Sequence, residues 1–340
     1  MKPKAFAALA VITLMAFSLA LITFGSQTRL AQVRDSGEPL FPGLSKQAGQ
    51  ITKIELQQGD KKIALARDKD SWSLADRAGY PAKSETVRGL LSRLAQAELV
   101  EAKTRSKDRY GLLELEDPAG KDAKSHLVRL LDDKGSVLAE AVVGKKRSDA
   151  FGAARAGTYV RKPADAQTWL ANAEINVPIA VRDWVQPAVL DIPAAKIASV
   201  SIEIAGEEPL KLTRETADAS KHALVDMPEG KKLKDGAAIS AIVRAAGSIE
   251  LEDVRKPAAT PAGENAGTAK LEADGGLAVA LQVRKEGEAY WLTIEATGAE
   301  GDAKKAAEEI TARTKGWEYK IPAAKVQSIL KRRADLFEAS

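Results

Sequence analysis

The chain has 340 residues, 45% hydrophobic and 29% charged, with 51 basic and 47 acidic side chains and a net charge of +4. That apolar share excludes a disordered or fibrous polymer, and the near balance of signs, interspersed along the chain, argues against a nucleic-acid binder, which concentrates its basic excess on one face. There is no Cys, which excludes disulfides and thiolate metal sites, and the length suits about two domains.

Lys2 and Lys4 precede an uncharged, mostly apolar run from Ala5 to Phe24. Twenty helical residues at about 1.5 Å each span about 30 Å, the hydrocarbon thickness of a bilayer. Two readings compete, an uncleaved anchor and a cleaved signal peptide. Signal-peptide apolar regions are usually about 7–15 residues. Ser18 and Ala20 offer a small-residue cleavage pair, yet Leu21 and Ile22 continue the run, which favours an anchor over residues 1–28. Lys2, Lys4 and the terminal amine place the N-terminus in the cytoplasm by the positive-inside rule, with Arg29 and Arg34 counting against it. The body is then expected outside the cytoplasm, a single-pass inner-membrane protein with a periplasmic bulk. Residues 29–50 are polar and turn-rich and read as a linker.

A first folded unit is expected over residues 51–192. Ile54 and Leu56, Ile63 and Leu65, and Trp72 and Leu74 alternate with polar residues as three period-two strands, with turns at Gly59-Asp60 and Asp68–Asp70. Ser84 and Glu85 open a helix whose apolar face is Val87, Leu90, Leu91 and Leu94. The stretch "ELVEAKT" is a further strand, "DRYGLLELEDPAGKDAKS" a connector, and "HLVRLLDDKGSVLAEAVVG" a hairpin turning at Asp133-Lys134-Gly135. "TYVRKP" is a strand, "ADAQTWLAN" a short helix, and "RDWVQPAVLDIP" closes the unit.

From residue 193 to 340 the order returns. "IASVSIEIAG" answers "ITKIELQQG", Arg214 stands for Arg67, and "HALVD" replaces "SWSLAD" with His222 near the place of Trp72. Asp235 caps a helix faced by Ile239, Ile242, Val243 and Ala246. "RKPAATPAGENAGTAKLEADGG" is expected as a longer connector, "LAVALQVRKEGEAYWLTIEA" as the matching hairpin, and "WEYKIPAAKVQSIL" as the counterpart of "TYVRKPADAQTWL". The expected fold class is α+β: an N-terminal transmembrane helix followed by two tandem repeats, each a mostly antiparallel sheet with covering helices.

The Trp-x-Leu strand (Trp72, Leu74), the "YPA" turn with the helix "VRGLLSRLA", and the "RYGL…DPA" connector (Arg109 to Leu112, Asp117 to Ala119), followed by "VVG", "TYVRKP" and "VRDW", resemble the bacterial domain of unknown function 4340 family. The resemblance covers most of the chain after the anchor, and the second half, lacking the Trp, departs most. It implies tethering to the inner membrane and an association with permease and auxiliary components of ABC-type transport systems related to gliding motility. It carries over no catalytic residues.

No constellation for chemistry stands out. His126 and His222 share no motif, "VVGKKRSD" lacks the glycine and hydroxyl of a phosphate loop, and no zinc spacing occurs. Asp132-Asp133 sits in a turn, and Glu114, Glu116 and Asp117 lie in the connector, so a carboxylate hydrolase is the weakest of three readings. The leading reading is a non-catalytic accessory or scaffold protein of a transport or envelope assembly, with no cofactor and no metal. Its alternative is a binding module for an envelope polymer or small ligand in the cleft between the repeats. Of the five tryptophans, Trp169 and Trp184 are the candidate partner anchors, and Lys145, Lys146 and Arg147 the candidate anion or headgroup contacts.

Overall fold

The computed structural model describes residues 37–152, 155–215, 221–235 and 237–338. The expected anchor and residues 29–36 lie outside them; among the described residues no helix is long and apolar enough to cross a membrane. The rest of the expected linker is folded. Strand β1 (Glu38–Pro39) pairs with Leu99 and Glu98, a single helical turn covers Leu44–Gln47, and Leu40 and Leu44 are buried. Two leucines spaced by four in a polar stretch were enough to dock it.

The fold is mixed α+β with antiparallel sheets and few helices. The first half runs β2 (Lys53–Gln58), β3 (Lys61–Asp68), β4 (Ser71–Leu74), β5 (Tyr80–Pro81), helix α1 (Ser84–Gln96), β6 (Glu98–Ala102), β7 (His126–Leu131), β8 (Val137–Arg147), β9 (Gly157–Arg161) and β10 (Thr168–Ala171). The alternating residues named from sequence, Ile54, Leu56, Ile63, Leu65, Trp72 and Leu74, are all buried. Helix α1 buries Val87, Leu90 and Leu94, and leaves Leu91 half-buried. The hairpin β7–β8 turns where expected, with Asp132 Oδ1 accepting from the Lys134 and Ser136 backbone N–H groups. "QTWLA" is strand β10, not a helix: Thr168–Ala171 pairs on both sides, with β9 and with β6, and that pairing outweighs the helix propensity of its alanine and leucine.

The second half runs β11 (Ala188–Asp191), β12 (Ile197–Glu203), β13 (Leu210–Arg214), β14 (His222–Leu224), helix α2 (Ala237–Gly247), β15 (Ser248–Glu250), β16 (Asp253–Arg255), β17 (Glu264–Ala273), β18 (Leu277–Glu286), β19 (Ala289–Gly298), helix α3 (Gly301–Thr314), β20 (Glu318–Ile321) and helix α4 (Ala323–Ile329). Asp235 Oδ1 accepts from the Ala237 N–H at 2.8 Å, and Ile239, Ile242, Val243 and Ala246 face inward. Residues Glu264–Ala273 of the expected connector form β17, which pairs with β18 along its whole length. Helix α3 had no sequence expectation. Its buried stripe is Ala303, Ala307 and Ile310, too weakly apolar to show as a period.

Packing divides the chain into two compact units: residues up to Ile51 with Gln57–Asp60 and Gly89–Val177, and residues Thr52–Leu56, Lys61–Arg88 and Pro178–Ser340. The first unit contains the strand run β1-β6-β10-β9-β8-β7. The second contains the run β3-β4-β5, the eight-stranded sheet β14-β13-β12-β17-β18-β19-β20-β16 and the pair β11-β15.

In the first unit the connector lies across one sheet face. A one-sided cluster of Tyr110, Leu115, Val142, Phe151, Tyr159 and Leu170 joins connector to strands. The close approach depends on Gly144 of β8: a Cβ there would stand 2.3 Å from the Leu113 carbonyl oxygen and 2.8 Å from that of Glu114. Backbone atoms cannot yield as a flexible side chain can. Gly144→Ala is therefore expected to lower stability by about 1–3 kcal/mol. At the exposed mid-helix Gly89 an added methyl would meet nothing within 4 Å, so Gly89→Ala should gain about 0.5–1 kcal/mol. Denaturant melts of the two variants check this opposition of sign.

Candidate functional site

The connector and the sheet it covers border an open cavity of about 690 Å³, lined entirely from the first unit. Strand alternation supplies its floor. Leu127 and Arg129 of β7, Glu140 and Val142 of β8, and Arg161 of β9 point to the same side. Their register is direct: Arg129 stands opposite Glu140, and Val142 stands opposite both Leu127 and Arg161. The connector contributes Lys107, Tyr110, Glu116, Asp117 and Pro118, and the β9–β10 loop contributes residues 163–166.

Each wall is held in place locally. Residues Lys107–Leu113 form a 3-10 turn that aims Tyr110 inward, where its hydroxyl donates to the Ala166 carbonyl at 2.6 Å. Beyond it, Glu116 closes the loop to Ser125. Its Oε1 accepts from the Lys124 and Ser125 N–H groups at 2.6 and 3.0 Å, and the Ser125 hydroxyl donates to the Glu116 carbonyl. Asp117 Oδ1 accepts from Ala119 N–H, an Asx turn, and the Pro118 carbonyl accepts from Gly59 N–H at 2.7 Å. The "DPA" motif thus builds a rigid turn.

Charge in the cavity is arranged in pairs and stacks. Arg129 grips Glu140 through both Nε and Nη2, at 2.9 and 2.6 Å. The Arg161 guanidinium lies 4.9 Å from the Tyr110 ring centre, and its Nη1 donates to the Pro163 carbonyl at 3.3 Å. Two buried atoms in the cavity wall have no partner among the described residues: Arg161 Nε, a donor, and Glu116 Oε2, an acceptor. Beside the site, His126 opens β7. Burial lowers its pKa from the ordinary 6.5, against the opposing pull of Glu114 and a bond to the Val143 backbone.

None of the residues expected from sequence to meet a partner lines the cavity. Trp184 is a core side chain, 0% exposed, with its indole N–H donating to the Pro178 carbonyl at 3.0 Å. An anchor must present area to solvent, so Trp184 is corrected to a structural role. Trp169 is half-buried on β10 between Val160 and Ala102. Lys145, Lys146 and Arg147 are exposed at the end of β8, Lys146 paired with Glu174 at 2.7 Å and Arg147 3.9 Å from Asp149. His222 is buried on β14, its Nε2 on the Ile197 carbonyl at 2.8 Å. Among the described residues no group of three or more His, Asp or Glu is placed to hold a metal. The carboxylates Glu116 and Asp117, read from sequence as ordinary connector acids, are the ones that reach the cavity. Nothing in the sequence set them apart from the other acids of the connector.

A folded state that holds His126 neutral loses stability as pH falls through the unfolded value, because the unfolded chain takes up the proton first. Thermal melts of the native chain and His126→Gln should keep a fixed separation above about pH 7.5 and change it below about 6.5, the native chain losing more. Tyr110→Phe removes the bond to Ala166 while keeping the ring, and a loss of about 0.5–1.5 kcal/mol in denaturant melts is expected.

Searches of curated proteins and of solved structures find no match for this chain. A family model described as "Domain of unknown function (DUF4340)" matches residues 72–269, more than half of the chain. The span takes in the connector, Gly144 and every residue lining the cavity, and the chain belongs to the DUF4340 family.

Proposed function

We propose that this chain is a membrane-tethered, non-catalytic accessory protein that holds its folded body on the periplasmic side of the inner membrane, within a transport or envelope assembly. The observation that carries the reading is the state of the cavity's acids. Glu116 and Asp117 accept from backbone N–H groups, Asp165 accepts from Gln167 N–H, and Glu140 is gripped by Arg129. Asp117, Asp165 and Glu140, so engaged, shape the site, and Glu116 is held through one of its oxygens, whereas a general acid or base needs a carboxyl within reach of the proton it moves. The uncharged run Ala5–Phe24 supports the tether.

The body is read as a duplicated unit. Support comes from strand order taken run by run: β4-β3-β2 recurs as β14-β13-β12, and β7-β8-β9-β10-β6 recurs as β17-β18-β19-β20-β16. Register agrees as well. Arg67 opposes Trp72 as Arg214 opposes His222, and Leu65 opposes Leu74 as Leu212 opposes Leu224. This shifts the correspondence by one strand from the sequence alignment: β7 matches β17, and β10 matches β20. Helix α3 is then an insertion in the second copy, where the first has only a short loop.

Two measurements check this reading. In membrane fractions washed with alkaline carbonate the full chain should stay in the pellet, and deletion of residues 1–28 should release it. The absence of Cys allows a clean topology probe: Lys134→Cys, in the exposed β7–β8 turn, should react with a membrane-impermeant maleimide from the periplasmic side. Labelling only after the inner membrane is broken would overturn the orientation.

A further inference from the structure

We infer that the first-unit cavity binds a small ligand carrying one anionic group, a carboxylate or phosphate, next to a hydroxyl or ammonium donor. The cavity is lined by four acids and three bases, and their contacts leave two of the bases without a carboxylate: Glu140 is held by Arg129, while Glu116, Asp117 and Asp165 accept from backbone N–H groups. Arg129 is committed to Glu140. Arg161 meets no carboxylate among the described residues; its polar contact is the single long bond to Pro163, and its guanidinium carbon lies 4.9 Å from the Tyr110 ring centre. Lys107 stands exposed at the rim without an ion-pair partner among the described residues. A guanidinium is a planar fork of donors that matches a two-pronged anion.

The unpartnered atoms point the same way. Of the four buried side-chain polar atoms without a partner among the described residues, two belong to this cavity, and they have opposite hydrogen-bonding sense. Arg161 Nε lacks an acceptor and Glu116 Oε2 lacks a donor. An anion on the Arg161 guanidinium and a hydroxyl or ammonium on the Glu116 carboxylate would meet side chains whose hydrogen-bonding capacity is unfilled, with a carbon skeleton resting on Leu127, Val142 and Pro118. The volume of about 690 Å³ suits a molecule of a few tens of atoms at most.

The test uses the full chain in detergent micelles and titration calorimetry with four probes: glucuronate, glycylglycine, glucose 6-phosphate and neutral glucose. Binding of at least one of the three charged probes, with neutral glucose silent, is expected. Which of them binds tells carboxylate from phosphate and hydroxyl from ammonium. Arg161→Met should weaken that binding by at least about tenfold. Lys107→Ala, at an exposed position where folding is not at stake, should weaken it about threefold. If no charged probe exceeds glucose, or if both variants bind as the native chain does, the inference falls. Because the chain is held in micelles, this outcome is independent of where the protein resides in a cell.

Discussion

The first unit depends on one close approach, the backbone of Leu113 and Glu114 lying against the bare Cα of Gly144. A sheet face is apolar on alternate positions and must be covered. Here the cover is not a helix but a connector of short turns, and such a chain has many polar backbone groups to satisfy. It manages this with side chains from its own sequence, Glu116 capping two N–H groups across the loop and Asp117 capping its own turn. Because the connector touches down at Tyr110 and Leu115 and arches between them and the β9–β10 loop, space remains beneath it. The cavity is a consequence of covering a sheet with a loop.

Charge is used in a similar manner in the second unit. Arg255 reaches Glu318, only 4% exposed, and Glu286, while its face lies 3.8 Å from the Trp291 ring centre. Arg77 joins Asp253 through two bonds and also meets Asp76. Burial raises the Asp76 pKa, and Arg77 pulls it back. Lys256 and Tyr80 both pack on Trp317. Each of these cations is held on one side by a carboxylate, an aromatic ring, or both, which fixes its direction. Arg161 differs from the other two arginines: it has the ring without the carboxylate, and that difference marks its cavity out from the other charged clusters.

Much of the fold was legible in the chain. Period-two strands through Ile54, Ile63 and Trp72, the helix faces of α1 and α2 and the turn at Asp132–Gly135 follow from side-chain alternation, helical spacing and turn chemistry, all local rules. What misled was weak local signal overruled by pairing. The alanine-rich stripe of α3 hid a helix, "QTWLA" became a strand between two partners, and Leu40 with Leu44 pinned a stretch that reads as linker. The tryptophans misled in another way: size and apolarity say that a side chain will be used, not whether in the core or at the surface, and Trp184 went inside.

By itself the sequence determined the class of the fold, its strongly periodic strands and helices and the family, because these rest on periodicity and on motifs whose residues act within a few positions of one another. Only the tertiary structure decided the site. Arg161, Tyr110 and Glu116 are separated along the chain by many residues, and nothing in their spacing says they share a wall. Their meeting depends on the register of β7, β8 and β9 and on a glycine that lets the connector down onto them, and both are long-range facts of packing.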